Sequence, residues 1–176
     1  MIKASDPGNH IYAIALGSNR PLGRHLLPHM IVKAALARLA EPPFTLVATA
    51  SIIETRPIGP SRRSYANCAA LVESPLPPVA MLRALQGVEL SFGRRRARRW
   101  GERTLDLDII LWSGGRFAGG TTLQIPHPQW HRRLFVVQPL AEIAPHWRDT
   151  ILGRSVAAQL DRLTRPKPVD HFPAPL

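Results

Sequence analysis

One cysteine, Cys68, occurs in 176 residues, which excludes an intrachain disulfide and a four-cysteine zinc site. Its neighbours are apolar, so the expected role is that of a small buried hydrophobe. No apolar run approaches the roughly 18 residues needed to cross a bilayer. The N-terminus lacks the basic segment, apolar core and small-residue cleavage site of a secretory leader, so a reducing cytoplasm is the expected compartment. The G-x-x-x-x-G-K-[ST] signature is missing, which excludes a P-loop nucleotide site. There is no internal repeat. Acids are scarce as well: 12 Asp and Glu against 23 Lys and Arg leave a net charge of +11. Such a balance favours polyanionic partners without saying which.

The chain present is long enough for one packed domain and too short for two. That domain is expected over residues 1–164, followed by a loosely held tail over 165–176 that carries four prolines. The apolar run Ile11 to Leu16 stops at Gly17-Ser18-Asn19 and reads as a buried strand with a turn. Met30 to Ala40 has helical spacing and is ended by Pro42-Pro43. Phe44 to Thr55 and Tyr65 to Glu73 read as strands. Pro77-Pro78 suits the first turn of a helix running to about Phe92, with Val79, Leu82, Leu85 and Val88 as its buried stripe. Thr104 to Trp112 is the strongest strand pattern, and Arg132 to Ala144 and Ser155 to Leu163 suggest two more helical pieces. The order β-α-β-β-α-β predicts an α+β, ferredoxin-like sheet with helices packed on it and helical additions at the C-terminal end. Strands joined closely should pair antiparallel, and those joined through helices could be parallel neighbours.

Three segments carry candidate chemistry. In a strand, residues i and i+2 point the same way, so Asp106 and Asp108 share one face while Leu105, Leu107 and Ile109 share the other. Two adjacent carboxylates repel, and oxygen donors suit a hard cation such as magnesium. The alternative is an edge strand whose acids are solvated or paired with arginines. Just upstream, six arginines fall between Arg94 and Arg103. Their planar, permanently charged forks match phosphate oxygens, and Trp100 adds a stacking surface. A solvated basic loop or an RNA-binding segment is the competing reading. Arginines directly before a diacid strand suit a magnesium–triphosphate complex better than a bare nucleic-acid backbone, which the acids would repel. In the third segment, His127 sits between Pro126 and Pro128 on a stiff loop, close to Arg132-Arg133.

Taken together, ALGSN (15–19), TRPIG (55–59), YANCA (65–69), RWGERTLDLDII (99–110), IPHP (125–128) and FVVQPLAEIAP (135–145) resemble 6-hydroxymethyl-7,8-dihydropterin pyrophosphokinases of folate biosynthesis. The segments occur in family order. The resemblance implies transfer of diphosphate from ATP to the pterin hydroxymethyl group with release of AMP. It implies that Asp106 and Asp108 hold two magnesium ions, and that Arg94 and Arg103, at the ends of the arginine loop, act in catalysis. Gln86, Glu89, Arg96, Arg99, Trp100, Ile109, His127 and Arg133 correspond to nucleotide-binding positions. Tyr65 and Phe135 would stack the pterin, Asn67 would bond its polar edge, and Thr55 to Ile58 would complete its pocket. ATP and the pterin are then the partners of a monomer, without nucleic acid or membrane. Glu102, where the family favours proline, and Arg56, near the pterin pocket, depart from the pattern. No general base stands out; Asp108 and a magnesium-bound alkoxide both remain open.

Overall fold

Apolar runs stopped by turns become strands in the computed structural model, which describes residues 8–55, 64–93, 103–120 and 122–166. The elements are β1 (His10–Ser18), α1 (Pro28–Arg38), β2 (Thr45–Thr49), β3 (Ile53–Thr55), β4 (Tyr65–Ser74), α2 (Pro78–Ser91) and β5 (Asp106–Trp112). A hairpin of β6 (Phe117–Gly119) and β7 (Leu123–Ile125), a 3-10 turn (Trp130–Arg132), α3 (Leu134–Ile143) and α4 (Val156–Thr164) follow. Both α1 and α2 begin at a proline, whose missing N–H costs nothing in a first turn. The expected tail from residue 165 lies, apart from Arg165 and Pro166, outside the described residues.

The main sheet runs β2-β4-β1-β5, with β3 also on β4, and every pairing among the described residues is antiparallel. This corrects the expectation of parallel neighbours. β1 and β2 do run the same way across the α1 connection, but β4 is inserted between them. The result is the ferredoxin-like arrangement. β4 is buried almost throughout, because helices cover both its faces and leave no polar alternation. α1 turns Ile31, Val32 and Ala35 inward, and α2 turns Met81, Leu85, Val88 and Glu89 inward. Val79, expected on the buried stripe, is 42% exposed, and Met81 takes that place.

Two departures from the expected strands matter for the site. The segment Phe44 to Thr55 is not one strand: it breaks between β2 and β3 at Ser51, whose N–H and hydroxyl both donate to the Glu142 carboxylate on α3 at 2.9–3.1 Å. In β5, the pairing with β1 slips by one residue between Ala13 and Ile14, leaving Ile110 as a bulge. A bulge bends a strand and frees a backbone group from the ladder. Here the Ile110 carbonyl accepts from the His127 N–H at 3.0 Å, which ties the His127 loop to β5 two residues from Asp108.

Candidate active site

The period of β5 sets the floor of the site. Asp108 lies opposite Ala15 of β1, and Asp106 opposite Gly17, which in turn faces Asn67 of β4. Ala15, Gly17, Asn67, Asp106 and Asp108 therefore share one face of the sheet, and α3 adds Phe135 and Val136 above it. Together with Ser18, Asn19, Thr55, Tyr65, Arg103, Arg132 and Arg133 they line a cleft of about 570 Å³, the size of a small-molecule pocket. A Cβ on Gly17 would stand 3.4 Å from Asn67 Oδ1, so the bare backbone there keeps the floor open. Asn67 is 4% exposed, and its amide donates to Thr55 Oγ1 at 2.7 Å, which fixes the orientation of the Asn67 side chain.

The charged end is densely paired. Arg103 donates to both oxygens of Asp106, at 2.5 and 2.6 Å. Burial alone would weaken the Arg103 cation, but Asp106 beside it, together with Asp108 and Glu89, outweighs that cost and holds the guanidinium above its ordinary value. Arg133 approaches Asp108 more loosely, at 3.8 Å. Burial, and then the neighbouring Asp106, keep the Asp108 carboxyl above the usual carboxylate range, against the pull of His127, Arg133 and Arg103. Its side chain is 39% accessible, but only within the cleft, where dense surroundings limit hydration. Burial pushes His127 below its ordinary value, against the attraction of Asp108. His127 Nδ1 accepts from the Gln129 N–H at 3.1 Å, so the neutral ring carries its proton on Nε2 and offers a donor.

Arg103, Asp106, Asp108, Arg133, Thr55, Tyr65, Asn67 and Phe135 thus come together in or around one cleft, with His127 close enough to Asp108 for each to bias the other's proton. Three residues expected at nucleotide-binding positions lie on α2 and β5. Gln86 and Glu89 do not share an environment: Gln86 is exposed, whereas Glu89 is 1% exposed and its Oε1 accepts from the Leu107 N–H at 2.8 Å. Three residues along a helix still differ by about 60° around its axis, enough to place one in solvent and one against a strand. Glu89 thereby supports β5. Ile109 turns its side chain into the core. Arg94, Arg96, Arg99, Trp100 and Ile58, with Arg56 and Glu102, lie outside the described residues.

Sequence reasoning missed Asn19 and Arg132 as site residues. Asn19, 2% exposed, accepts the Arg103 N–H on Oδ1 at 2.9 Å and donates its own N–H to the Arg103 carbonyl at 3.2 Å. That clamp holds the backbone from which Arg103 reaches Asp106. The signal was the Gly-Ser-Asn turn ending a buried strand.

The donor set fits magnesium. Asp106 and Asp108 supply oxygens from one face of one strand, and no cluster of three or more His, Cys, Asp or Glu side chains suited to a metal occurs among the described residues. Magnesium is ordinarily held by one or two carboxylates with substrate phosphates and water completing the shell. A ferredoxin-like sheet with a carboxylate pair, arginines, aromatic rings and an oriented amide lining one cleft has the layout of a phosphoryl-transfer enzyme acting on a small molecule. Comparison with known proteins makes this specific. The chain belongs to the 7,8-dihydro-6-hydroxymethylpterin-pyrophosphokinase (HPPK) family, whose model matches residues 13–145. It is 44% identical over 133 residues to the 2-amino-4-hydroxy-6-hydroxymethyldihydropteridine pyrophosphokinase of Haemophilus influenzae, covering 74% of this chain and 79% of that protein. The Pseudomonas aeruginosa protein of the same name is 39% identical over 137 residues, covering 77% and 81%. Among solved structures, Plasmodium falciparum HPPK-DHPS with pteroate superposes with a TM-score of 0.66 at 11% identity. That match covers 90% of this chain but only 43% of the larger one, and shows the shared fold alone.

Proposed function

We propose that the chain transfers the terminal diphosphate of ATP to the hydroxymethyl oxygen of 6-hydroxymethyl-7,8-dihydropterin, releasing AMP, in folate biosynthesis. The observation that carries this reading is one cleft lined by the groups both substrates need: Asp106, Asp108, Arg103 and Arg133 for a polyphosphate, and Thr55, Tyr65, Asn67 and Phe135 for a flat, polar-edged ring.

The chain's own groups align and neutralise more than they react, as phosphoryl transfer requires. Tyr65 and Phe135 offer apolar faces to the flat pterin, and Asn67, oriented by Thr55, offers an amide to its polar edge. Arg103 and Arg133 supply fixed positive charge for the diphosphate. His127 presents Nε2–H as a neutral donor to a phosphate oxygen. Asp106 and Asp108 would hold magnesium, which when bound supplies charge neutralisation and orientation for the polyphosphate. In the reaction the hydroxymethyl oxygen gives up its proton, which passes to solvent, and bonds to the β-phosphorus of ATP; the bond from that phosphorus to the α,β-bridging oxygen breaks, and AMP leaves with that oxygen. Arg94, Arg96, Arg99 and Trp100 are assigned to the nucleotide by the family resemblance. Gln86, on the exposed face of α2, keeps its proposed place near ATP, whereas Glu89 acts through β5.

The test is AMP formation by the pure protein with ATP, magnesium and the hydroxymethyl-dihydropterin. Product should appear only with all three, and absence of AMP removes the proposal. Asp106→Ala and Asp108→Ala should each lower the rate by roughly two or more orders of magnitude; near-normal turnover would refute the metal assignment. A nucleic-acid module would need an open sheet face for base stacking. Here that face carries two acids and is partly covered by α3.

A further inference from the structure

His127 and Arg133 approach Asp108 from a loop outside the sheet, so something must fix that loop. One end is held by the His127 N–H on the Ile110 carbonyl. The middle is Trp130, whose backbone ties the two functional residues together: its N–H donates to the His127 carbonyl at 3.2 Å, and its carbonyl accepts the Arg133 N–H at 3.0 Å. The Trp130 ring is fully buried, and its Nε1–H donates to Asp149 Oδ2 at 2.7 Å. Asp149 is 2% exposed, and its other oxygen accepts the N–H groups of Ile151 and Leu152 at 2.6 and 2.8 Å. From α4, the buried Gln159 amide donates to the His131 carbonyl at 2.6 Å.

Asp149 and Gln159 both lie beyond residue 145, where the family match ends. A phenyl ring at position 130 would supply most of the same apolar burial. What the indole adds is a directed bond to a rigidly seated carboxylate, and that bond sets the rotation of the turn. We propose that Asp149, with Gln159 as a second hold, is a positioning residue: through Trp130 it orients His127 and Arg133 toward Asp108. The proposal rests on the reading of this cleft as the phosphoryl-transfer site.

The decisive variant is Trp130→Phe in the full chain, with Gln159→Ala read in parallel should the first fail to fold. Imidazole ¹⁵N NMR of the ligand-free protein reports the His127 tautomer, which should change from Nε2–H to a mixture in the folded variant. The rate of AMP formation should fall about tenfold to a hundredfold, the scale expected for sub-ångström misplacement of a binding group. Pterin affinity should change less than the rate, since Thr55, Asn67 and Tyr65 lie on other elements and only Phe135 follows the turn, and in a background lacking both side chains (His127→Ala with Arg133→Ala) the added loss should shrink to about threefold or less. A folded Trp130→Phe protein with the wild-type tautomer and rate overturns the proposal. So does an equal loss in both backgrounds, which would mean general destabilisation. If the wild type forms no AMP, the functional reading fails, and the tautomer comparison still decides whether Asp149 and Trp130 hold the loop.

Discussion

Replacing Glu89 by alanine should damage the site without touching it. β5 is the outer strand of the sheet, and the buried Leu107 N–H donates to Glu89 Oε1 at 2.8 Å. Removing that acceptor leaves a backbone donor in the interior with nothing to bind. A hydrogen bond to a charged group contributes about 1.5–3 kcal/mol, and an orphaned donor costs a similar amount. For a domain of this size, about 2–4 °C of melting temperature corresponds to each kcal/mol, so a fall of roughly 4–10 °C is expected. Leu107 sits between Asp106 and Asp108, so its amide should also lose protection from hydrogen exchange, and AMP formation should drop beyond the loss explained by unfolding. Glu89→Gln keeps a carbonyl acceptor and should restore most of the amide protection and about half or more of the lost stability. The reasoning fails if Glu89→Ala keeps the Leu107 amide protected and melts within about 1 °C of the wild type.

Gly17→Ala would set a methyl 3.4 Å from Asn67 Oδ1 at the cleft floor; the fold should survive, while pterin affinity measured by fluorescence titration falls about tenfold. Because Asp108 holds its proton above the ordinary carboxylate range in the metal-free protein, magnesium binding with a non-hydrolysable ATP analogue should release a proton at mildly acid pH. Calorimetry in buffers of different ionisation heat checks this, and buffer-independent heats would contradict it. The Cys68 thiol, pushed by burial from 9.0 up to about 11, favours the protonated folded state. Its contribution is present below pH 9.0 and lost as pH rises through about 11, because the unfolded chain gives up the proton first. Urea titrations should show a shallower alkaline loss in Cys68→Ala, with the burial-raised Tyr12 hydroxyl acting in the same direction in both proteins.

Local pattern alone determined a good deal. The period of a strand put Asp106 and Asp108 on one face, Pro77-Pro78 marked the start of α2, and six short motifs were enough to indicate the family. These features need no partner: side-chain alternation and a fixed φ are properties of a few adjacent residues. What tertiary structure decided are meetings between distant segments. Asn19 clamps Arg103 across 84 residues, and Glu142 breaks the second strand by taking Ser51 across 91. Glu89 and Gln86 carried the same expectation from the family resemblance, and only the approach of β5 separated their surroundings. The bulge at Ile110 and the Trp130–Asp149 bond are equally silent in sequence, since neither has a spacing or composition to announce it. The two aspartates were therefore readable from the chain. Which groups surround them, and so what the Asp108 proton does, depended on how the sheet edge, the His127 loop and the C-terminal segment pack together.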